Sequence, residues 1–220
     1  GYSNAKTGNT QATPVLIIDY NFKCQLKKIC SGWLHTLFLD YNGDVYGAGY
    51  NKYGQLLQHY DIVSFKNYNT IAKIIDTKDV MDIDCCKHSS YILTKNNILK
   101  SFGNNGSGEL GINKENVKLS NEMNTILYGI KIKQFSCGKQ HFGCVTLKDK
   151  HLWMFGGNID HQCGSKMNTK CFNGNKITLD NNIAKVSCAA SHTIIKTINN
   201  QYYSFGNNNY NQLLSSINTN

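Results

Sequence analysis

Ile29-Cys-Ser-Gly-Trp-Leu-His35 is the first of four related segments in this 220-residue chain, and the spacing of these segments decides the fold. The other copies begin at Ile83, Phe135 and Val186, so the unit repeats about every fifty residues. Each copy leads to a hydrophobic stretch that ends in glycine, and asparagine follows two residues later. The glycine column holds Gly49, Gly103, Gly156 and Gly206, and the asparagine column holds Asn51, Asn105, Asn158 and Asn208.

The part of each unit between the histidine and glycine columns is typical of a β-hairpin. In the first copy the hydrophobic stretches 36–39 and 45–46 flank Asp40-Tyr-Asn-Gly43, and Asn-Gly is the strongest short hairpin signal. Glycine and asparagine tolerate left-handed backbone conformations, so the G-x-N motif predicts a sharp turn at the end of a strand. With one proline and no long helical periodicity, the chain is predicted to be all-β. The polar stretches 58–70, 113–125 and 165–178 are predicted to be surface loops.

These columns are similar to the regulator of chromosome condensation repeat family. In the first copy, Gly43-Asp-Val-Tyr46 and Gly54-Gln-Leu56 match the family's unit. The resemblance implies an all-β propeller: about four blades of four antiparallel strands, within a larger, seven-bladed propeller completed by further sequence or by another copy of the chain. The predicted organisation is a flexible N-terminal segment at 1–13 and blades over 14–57, 71–111, 126–164 and 178–214, which together form one propeller or partial propeller domain.

Two of the copies depart from the family pattern. The second copy has Cys86 in place of glycine and Ser89 in place of histidine, and the fourth has Ala189 in place of glycine. We therefore expect irregular blades at these two positions.

Charge and cysteine content limit the possible partners and compartments. The formal net charge is +9, but all 23 basic residues are lysine, and the absence of arginine argues against sequence-specific reading of DNA. Nine cysteines without a disulfide framework indicate reduced thiols in a cytoplasmic or nuclear protein. The aliphatic run 15–18 is far too short to span a membrane.

The recurring histidines and cysteines suggest structure before chemistry. Cys137 with His141, and Cys188 with His192, have C-x-x-x-H spacing, but a zinc site needs four converging ligands, so no metal or other cofactor is predicted. Each imidazole of His35, His141 and His192 is expected to pin a turn inside its own blade. Neighbouring residues of a strand point to opposite faces, so Cys85 and Cys86 are expected to be buried separately. No catalytic residue is predicted, because no recognisable catalytic motif is present.

Function is the least specified property. The resemblance implies comparison with a guanine-nucleotide exchange factor for a small nuclear GTPase, in which acidic side chains just before the repeat histidine face the GTPase. None of the corresponding positions is acidic here. We therefore expect a non-enzymatic protein-interaction scaffold; the alternatives are an exchange factor for a small Ran-like GTPase and a basic propeller associated with chromatin or nucleic acid. The predicted partner-binding positions are Trp33, Leu34, Lys87, His88, Lys139, Gln140, Ala190 and Ser191.

Overall fold

A computed structural model describes residues 13–14, 24–57, 68–113, 116–167 and 169–214, and in these residues it contains fifteen strands and no helix. The all-β prediction is therefore confirmed. Successive strands pair antiparallel in chain order and form four separate sheets, the blades of an open β-propeller array. No helix in these ranges is long and apolar enough to cross a membrane.

Three of the blades have four strands, and the last has three within the described residues. Blade 1 comprises β1 (Leu26–Ser31), β2 (His35–Asp40), β3 (Val45–Gly49) and β4 (Tyr68–Ile75). Blade 2 comprises β5 (Val80–Cys85), β6 (Ser89–Thr94), β7 (Leu99–Asn104) and β8 (Leu119–Thr125). Blade 3 comprises β9 (Ile132–Cys137), β10 (His141–Thr146), β11 (Leu152–Gly156) and β12 (Cys171–Ile177). Blade 4 comprises β13 (Ile183–Cys188), β14 (His192–Thr197) and β15 (Tyr202–Gly206).

The predicted hairpin of the first copy is present. One carboxylate oxygen of Asp40 accepts hydrogen bonds from the amides of Gly43 and Asp44, both at 2.9 Å. Gly43 has a φ of 94°, which side chains other than glycine rarely adopt. The turn thus closes β2 onto β3 and sets the register of the two strands.

The hydrophobic core lies in the seams between consecutive blades. Three clusters of buried side chains fill the seams between blades 1 and 2, blades 2 and 3, and blades 3 and 4. Because blades 2 and 3 are covered on both faces, every residue of β6 and β10 is buried, whereas in β14 only alternate residues are. Stability therefore depends on the stacking of each blade against its neighbours.

The structure corrects the predicted loops and blade boundaries. Strands β4, β8 and β12 cover parts of the segments 58–70, 113–125 and 165–178 that were expected to be loops. Residues 71–75 belong to blade 1, and 126–177 contains both the loop before β9 and all of blade 3. The fourth strand was missed because it lies at the outer edge of its blade, where β8 is largely exposed and polar. Residues 1–12 of the N-terminal segment lie outside the described residues.

Candidate partner-binding surface

The loops that precede the histidine column lie together at one end of the blades, which we call the upper end. Each loop joins the first strand of a blade to the second, as residues 32–34 do between β1 and β2. Since adjacent strands run in opposite directions, the connection between β3 and β4 also lies at the upper end. The eight predicted partner-binding positions therefore share this end of the array.

Backbone hydrogen bonds join these loops from one blade to the next. The amide of Trp33 donates to the carbonyl of Lys87 at 3.0 Å, and the amide of Lys87 donates to the carbonyl of Lys139 at 2.9 Å. These three residues occupy equivalent positions in blades 1, 2 and 3. The bonds thereby bring side chains that are about fifty residues apart in sequence into one local group.

The indole of Trp33 is the centre of this group. It is 58% exposed, and the ammonium nitrogens of Lys87 and Lys139 lie 3.8 and 5.3 Å from its ring centroid. Both distances fall within the range of cation–π attraction. In the described part of the chain neither lysine forms an ion pair. Leu34, which is 56% exposed, adjoins the indole in sequence.

Two tyrosines that the sequence analysis did not single out extend this group. The ring centroid of His88 lies 4.9 Å from that of Tyr53, 6.4 Å from that of Tyr50 and 5.9 Å from that of Trp33. Burial, and secondarily the charge of Lys87, lower the pKa of His88, so its ring is neutral at neutral pH. The signal was available: Tyr50 is the middle residue of the G-x-N motif and Tyr53 follows the motif by two residues, and this motif shares the upper end. We define the Trp33 surface as Trp33, Leu34, Tyr50, Tyr53, Lys87, His88 and Lys139.

The remaining predicted positions contribute less to this surface. None of the ring or cation contacts found in the described residues joins Gln140, Ala190 or Ser191 to Trp33. The residue just before the histidine column instead has a structural task in every blade. The carbonyls of Leu34, His88, Gln140 and Ser191 each accept a backbone hydrogen bond, at 2.7 to 3.0 Å, from the residue that follows the glycine column. Because only the carbonyl is used, the side chain is free to vary.

The repeat histidines link neighbouring blades, and the prediction that each pins a turn inside its own blade is wrong for the two that are fully buried. His35 Nε2 lies 2.9 Å from Ser90 Oγ in blade 2, and His141 Nε2 lies 3.0 Å from Thr193 Oγ1 in blade 4. Each hydroxyl donates its hydrogen at 2.8 Å to the carbonyl of a glutamine in the histidine's blade, so it accepts from the imidazole. We call this arrangement the histidine latch.

Both latch histidines are neutral. Burial lowers the pKa of His35 to about 4, assisted by the nearby His88. Burial likewise lowers the pKa of His141 to about 4, assisted by His192. A neutral ring with its hydrogen on Nε2 is the form that can donate to the hydroxyl. His192 is half-buried, and no blade follows blade 4 in the described residues to complete a latch with it.

The seam between blades 2 and 3 has no histidine latch, because both the histidine and the hydroxyl residue that would form it are replaced. Ser89 stands in the histidine column and donates to the carbonyl of Asn104 in its own blade at 2.8 Å. The position that would supply the hydroxyl holds Phe142, whose ring packs 4.8 Å from Tyr91 and 4.9 Å from Phe155. An aromatic contact thus replaces the polar link.

The loss of the histidine also explains the lost glycine. A Cβ at Gly32 or Gly138 would lie 2.2 or 2.5 Å from the Cε1 atom of the histidine three residues later. With Ser89 in that column there is room for Cys86, whose thiol donates to the carbonyl of His141 at 3.3 Å. Blade 2 nevertheless has the same four-stranded order as blades 1 and 3, so the prediction of an irregular second blade is wrong.

The glycine and asparagine columns shape the upper end in different ways. The four glycines have φ values from 102° to 114°, as the predicted turn requires. The asparagines do not have positive φ; their side-chain oxygens accept hydrogen bonds from the amide five residues later. These bonds, from 2.8 to 3.0 Å, close the turn that carries residues such as Tyr53. The asparagines therefore act through their side chains, which corrects the expectation of a left-handed backbone there.

The cysteines are packed as hydrophobic residues. Cys85 lies in the seam between blades 1 and 2, and Cys86 in the seam between blades 2 and 3, on opposite faces of the sheet as predicted. Burial raises the pKa of Cys85, Cys137 and Cys188. Across the described ranges, no three histidine, cysteine or acidic side chains are grouped so that they could hold a metal ion.

Comparisons with known proteins agree with the repeat and the fold. The family model of the Regulator of chromosome condensation (RCC1) repeat matches residues 26–55. The mouse protein named probable E3 ubiquitin-protein ligase HERC4 is 26% identical over 83% of this chain and 17% of its own length. An RCC1 domain-containing protein of Dictyostelium discoideum is 28% identical over 93% of this chain and 49% of its own length. The chain thus spans at most about half of these relatives.

The yeast protein Prp20 has a similar structure. In a crystal structure with Kap60 it matches with a TM-score of 0.72 and 19% identity, over 89% of this chain and 45% of that chain. A second crystal structure, from a study that also describes binding of Prp20 to Gsp1p and histones, gives a TM-score of 0.66 and 21% identity over 84% and 46%. At this identity the likeness establishes the fold.

Proposed function

Because the chain belongs to the regulator of chromosome condensation repeat family, we propose that it is a non-enzymatic protein-interaction scaffold whose partner binds at the Trp33 surface. The observation that carries the proposal is the exposed indole of Trp33 between two lysines that form no ion pair with any described carboxylate. Tryptophan and tyrosine are the residues in which binding energy is most often concentrated at protein interfaces. The partner is a protein of the cytoplasm or nucleus, where the nine thiols stay reduced.

The rigidity of the backbone beneath the Trp33 surface supports the same function. Interblade hydrogen bonds hold the loops that carry Trp33, Lys87 and Lys139, and both ammonium groups already lie within cation–π range of the indole. A surface that is ordered before binding loses less conformational entropy when a partner arrives. The described residues offer no grouping of a nucleophile, a base and an orienting group, so catalysis is not part of the proposal.

Site-specific photo-crosslinking tests the proposal. A photoreactive amino acid at Leu34 is expected to capture a discrete partner, and the same probe at Tyr128 is not. Tyr128 is a matched control because it is 92% exposed and follows β8 at the opposite end of the blades. The captured protein must then bind the purified chain, and Trp33→Ala combined with Lys139→Glu must weaken that binding. A partner captured equally from both positions, or one indifferent to these substitutions, would refute the scaffold surface.

Guanine-nucleotide exchange is the second candidate, favoured by the likeness to Prp20, for which binding to Gsp1p is described. An exchange factor works by binding a GTPase better without its nucleotide than with it, so it needs a complementary surface and no bond-making residue. The chain would then accelerate release of labelled guanine nucleotide from a purified small GTPase. Unchanged release at saturating chain would eliminate this candidate and leave the scaffold proposal standing.

A further inference from the structure

We infer that the partner segment held by the Trp33 surface is an acidic peptide with a large apolar side chain among its carboxylates. This inference rests on the proposed function, because it specifies the chemistry of the same surface. Three observations support it: the surface is positively charged, it exposes apolar side chains, and a lysine ammonium already lies over the face of the indole.

The charge of the surface is positive, and no described carboxylate pairs with it. Lys87 and Lys139 are free of ion pairs within the described ranges, and no position just before the histidine column is acidic. Asp84, three residues before Lys87 in sequence, accepts hydrogen bonds from the amides of Cys85 and Cys137, both at 2.9 Å. Asp84 is thus committed to the inner strands. Carboxylates from a partner would supply the missing negative charge.

The surface also exposes apolar area that a purely ionic partner would leave in water. Trp33 and Leu34 are both more than half exposed, and Tyr50, Tyr53 and His88 continue the aromatic group beside them. Burial of an aromatic or aliphatic side chain against an exposed indole is favourable by the hydrophobic effect. A peptide that combines carboxylates with such a side chain satisfies both parts of the surface.

A cationic ligand and a nucleic acid fit less well. A basic peptide would meet the two ammonium groups of Lys87 and Lys139, which would repel it, although aromatic rings alone would attract it. Single-stranded nucleic acid binds by stacking its bases on open aromatic faces, but the ammonium of Lys87 already lies 3.8 Å from the ring centroid of Trp33. Arginine, which makes bidentate phosphate contacts, is absent from the chain.

Selection of peptides from a random display library against the intact chain tests the inference. The selected peptides are expected to be rich in aspartate and glutamate beside an aromatic or aliphatic residue. Binding of a resynthesised peptide should weaken at least about tenfold in Lys87→Glu combined with Lys139→Glu, and also in Trp33→Ala. The matched control reverses the same number of charges away from the surface, in Lys148→Glu combined with Lys131→Glu, because both residues are exposed at the opposite end of the blades.

The charge-reversed surface gives the sharpest outcome. Selection against the Lys87→Glu and Lys139→Glu variant should yield basic peptides in place of acidic ones. The inference would be overturned if no acidic peptides were enriched on the native chain. It would also be overturned if the variants of the Trp33 surface bound the peptide as tightly as the control variant does. Oligouridylate that binds more tightly than the peptides and is lost in the same variants would assign the surface to nucleic acid. If crosslinking at Leu34 captures a specific partner while no acidic peptide is selected, the inference fails and the scaffold remains.

Discussion

Replacing Thr193 with valine removes the hydroxyl of the latch between blades 3 and 4 and keeps the shape of the side chain. Two buried groups then lose their partner: the Nε2 hydrogen of His141 and the carbonyl of Gln162. A buried polar group without a hydrogen bond costs about 1 to 3 kcal/mol. With two such groups, we expect Thr193→Val to lower the free energy of unfolding by about 2 to 6 kcal/mol.

Equilibrium unfolding in urea, followed by far-ultraviolet circular dichroism, measures this loss as a lower midpoint at an unchanged slope. Thr36→Val is the matched control because Thr36 holds the same position in blade 1. Its hydroxyl makes a long and therefore weak contact, at 3.5 Å, with the exposed hydroxyl of Ser31. Thr36→Val should therefore lower the free energy of unfolding by less than about 0.5 kcal/mol. Ser90→Ala, which removes the latch between blades 1 and 2, should resemble Thr193→Val. If Thr193→Val costs no more than Thr36→Val, the latch does not hold the blades together.

Three further predictions follow from buried groups and backbone geometry. The unfolded chain protonates His35 and His141 below about pH 6.5, whereas the folded chain resists protonation until about pH 4, so stability falls as pH drops through this window. The loss of unfolding free energy should reach about 3 kcal/mol for each latch by pH 4. In His141→Phe the share of this loss that comes from one latch should disappear. Urea midpoints that do not change between pH 6.5 and pH 4 would contradict the prediction. Gly156→Ala should cost more than about 2 kcal/mol, because its Cβ would lie 2.3 Å from a carbonyl oxygen, whereas Gly129→Ala meets nothing within 4 Å and should cost clearly less in the same assay. Burial raises the pKa of Glu109, and the other blades carry glutamine at this position, so Glu109→Gln should raise the urea midpoint at pH 7; a lower midpoint would show that the charge is needed.

The fold was predictable because glycine and asparagine recur at the same two positions of every repeat and so align the four copies. Once Gly49 and Asn51 align with their counterparts, the hairpin in each unit follows from the residues between the columns. The outer strands were not predictable in this way. β8 is an edge strand that pairs only with β7, and most of its side chains are exposed. Because few of them must pack in the core, the sequence there does not alternate between hydrophobic and polar residues.

The direction of the latch was missed for a different reason. Aligned columns show which residues recur, but they do not show which blade a side chain faces. A signal was nevertheless present between successive copies. Where a copy has histidine, the next copy has a hydroxyl after its own histidine column, as with His35 and Ser90; where the second copy has Ser89, the third has Phe142. Comparison of each unit with its successor would have indicated a contact between blades.

The candidate surface could be predicted only in part. The positions of Trp33, Lys87 and Lys139 followed from the resemblance, but their mutual contact depends on hydrogen bonds between loops of different blades. Tyr50 and Tyr53 come from another loop, which reaches His88 because β3 ends at the same level as β1. Such proximity arises from the stacking of blades and has no counterpart in the spacing of residues along one unit.

The three seams should not come apart together. Protonation of His35 and His141 loosens the contacts of blade 1 with blade 2 and of blade 3 with blade 4. The middle seam has Ser89 and Phe142 in place of a latch, and the ring of Phe142 packs across it against Tyr91, a contact without a histidine. The loss of stability that comes from histidine protonation therefore falls on the two outer seams and not on the middle one, so mild acid should weaken the three seams unequally.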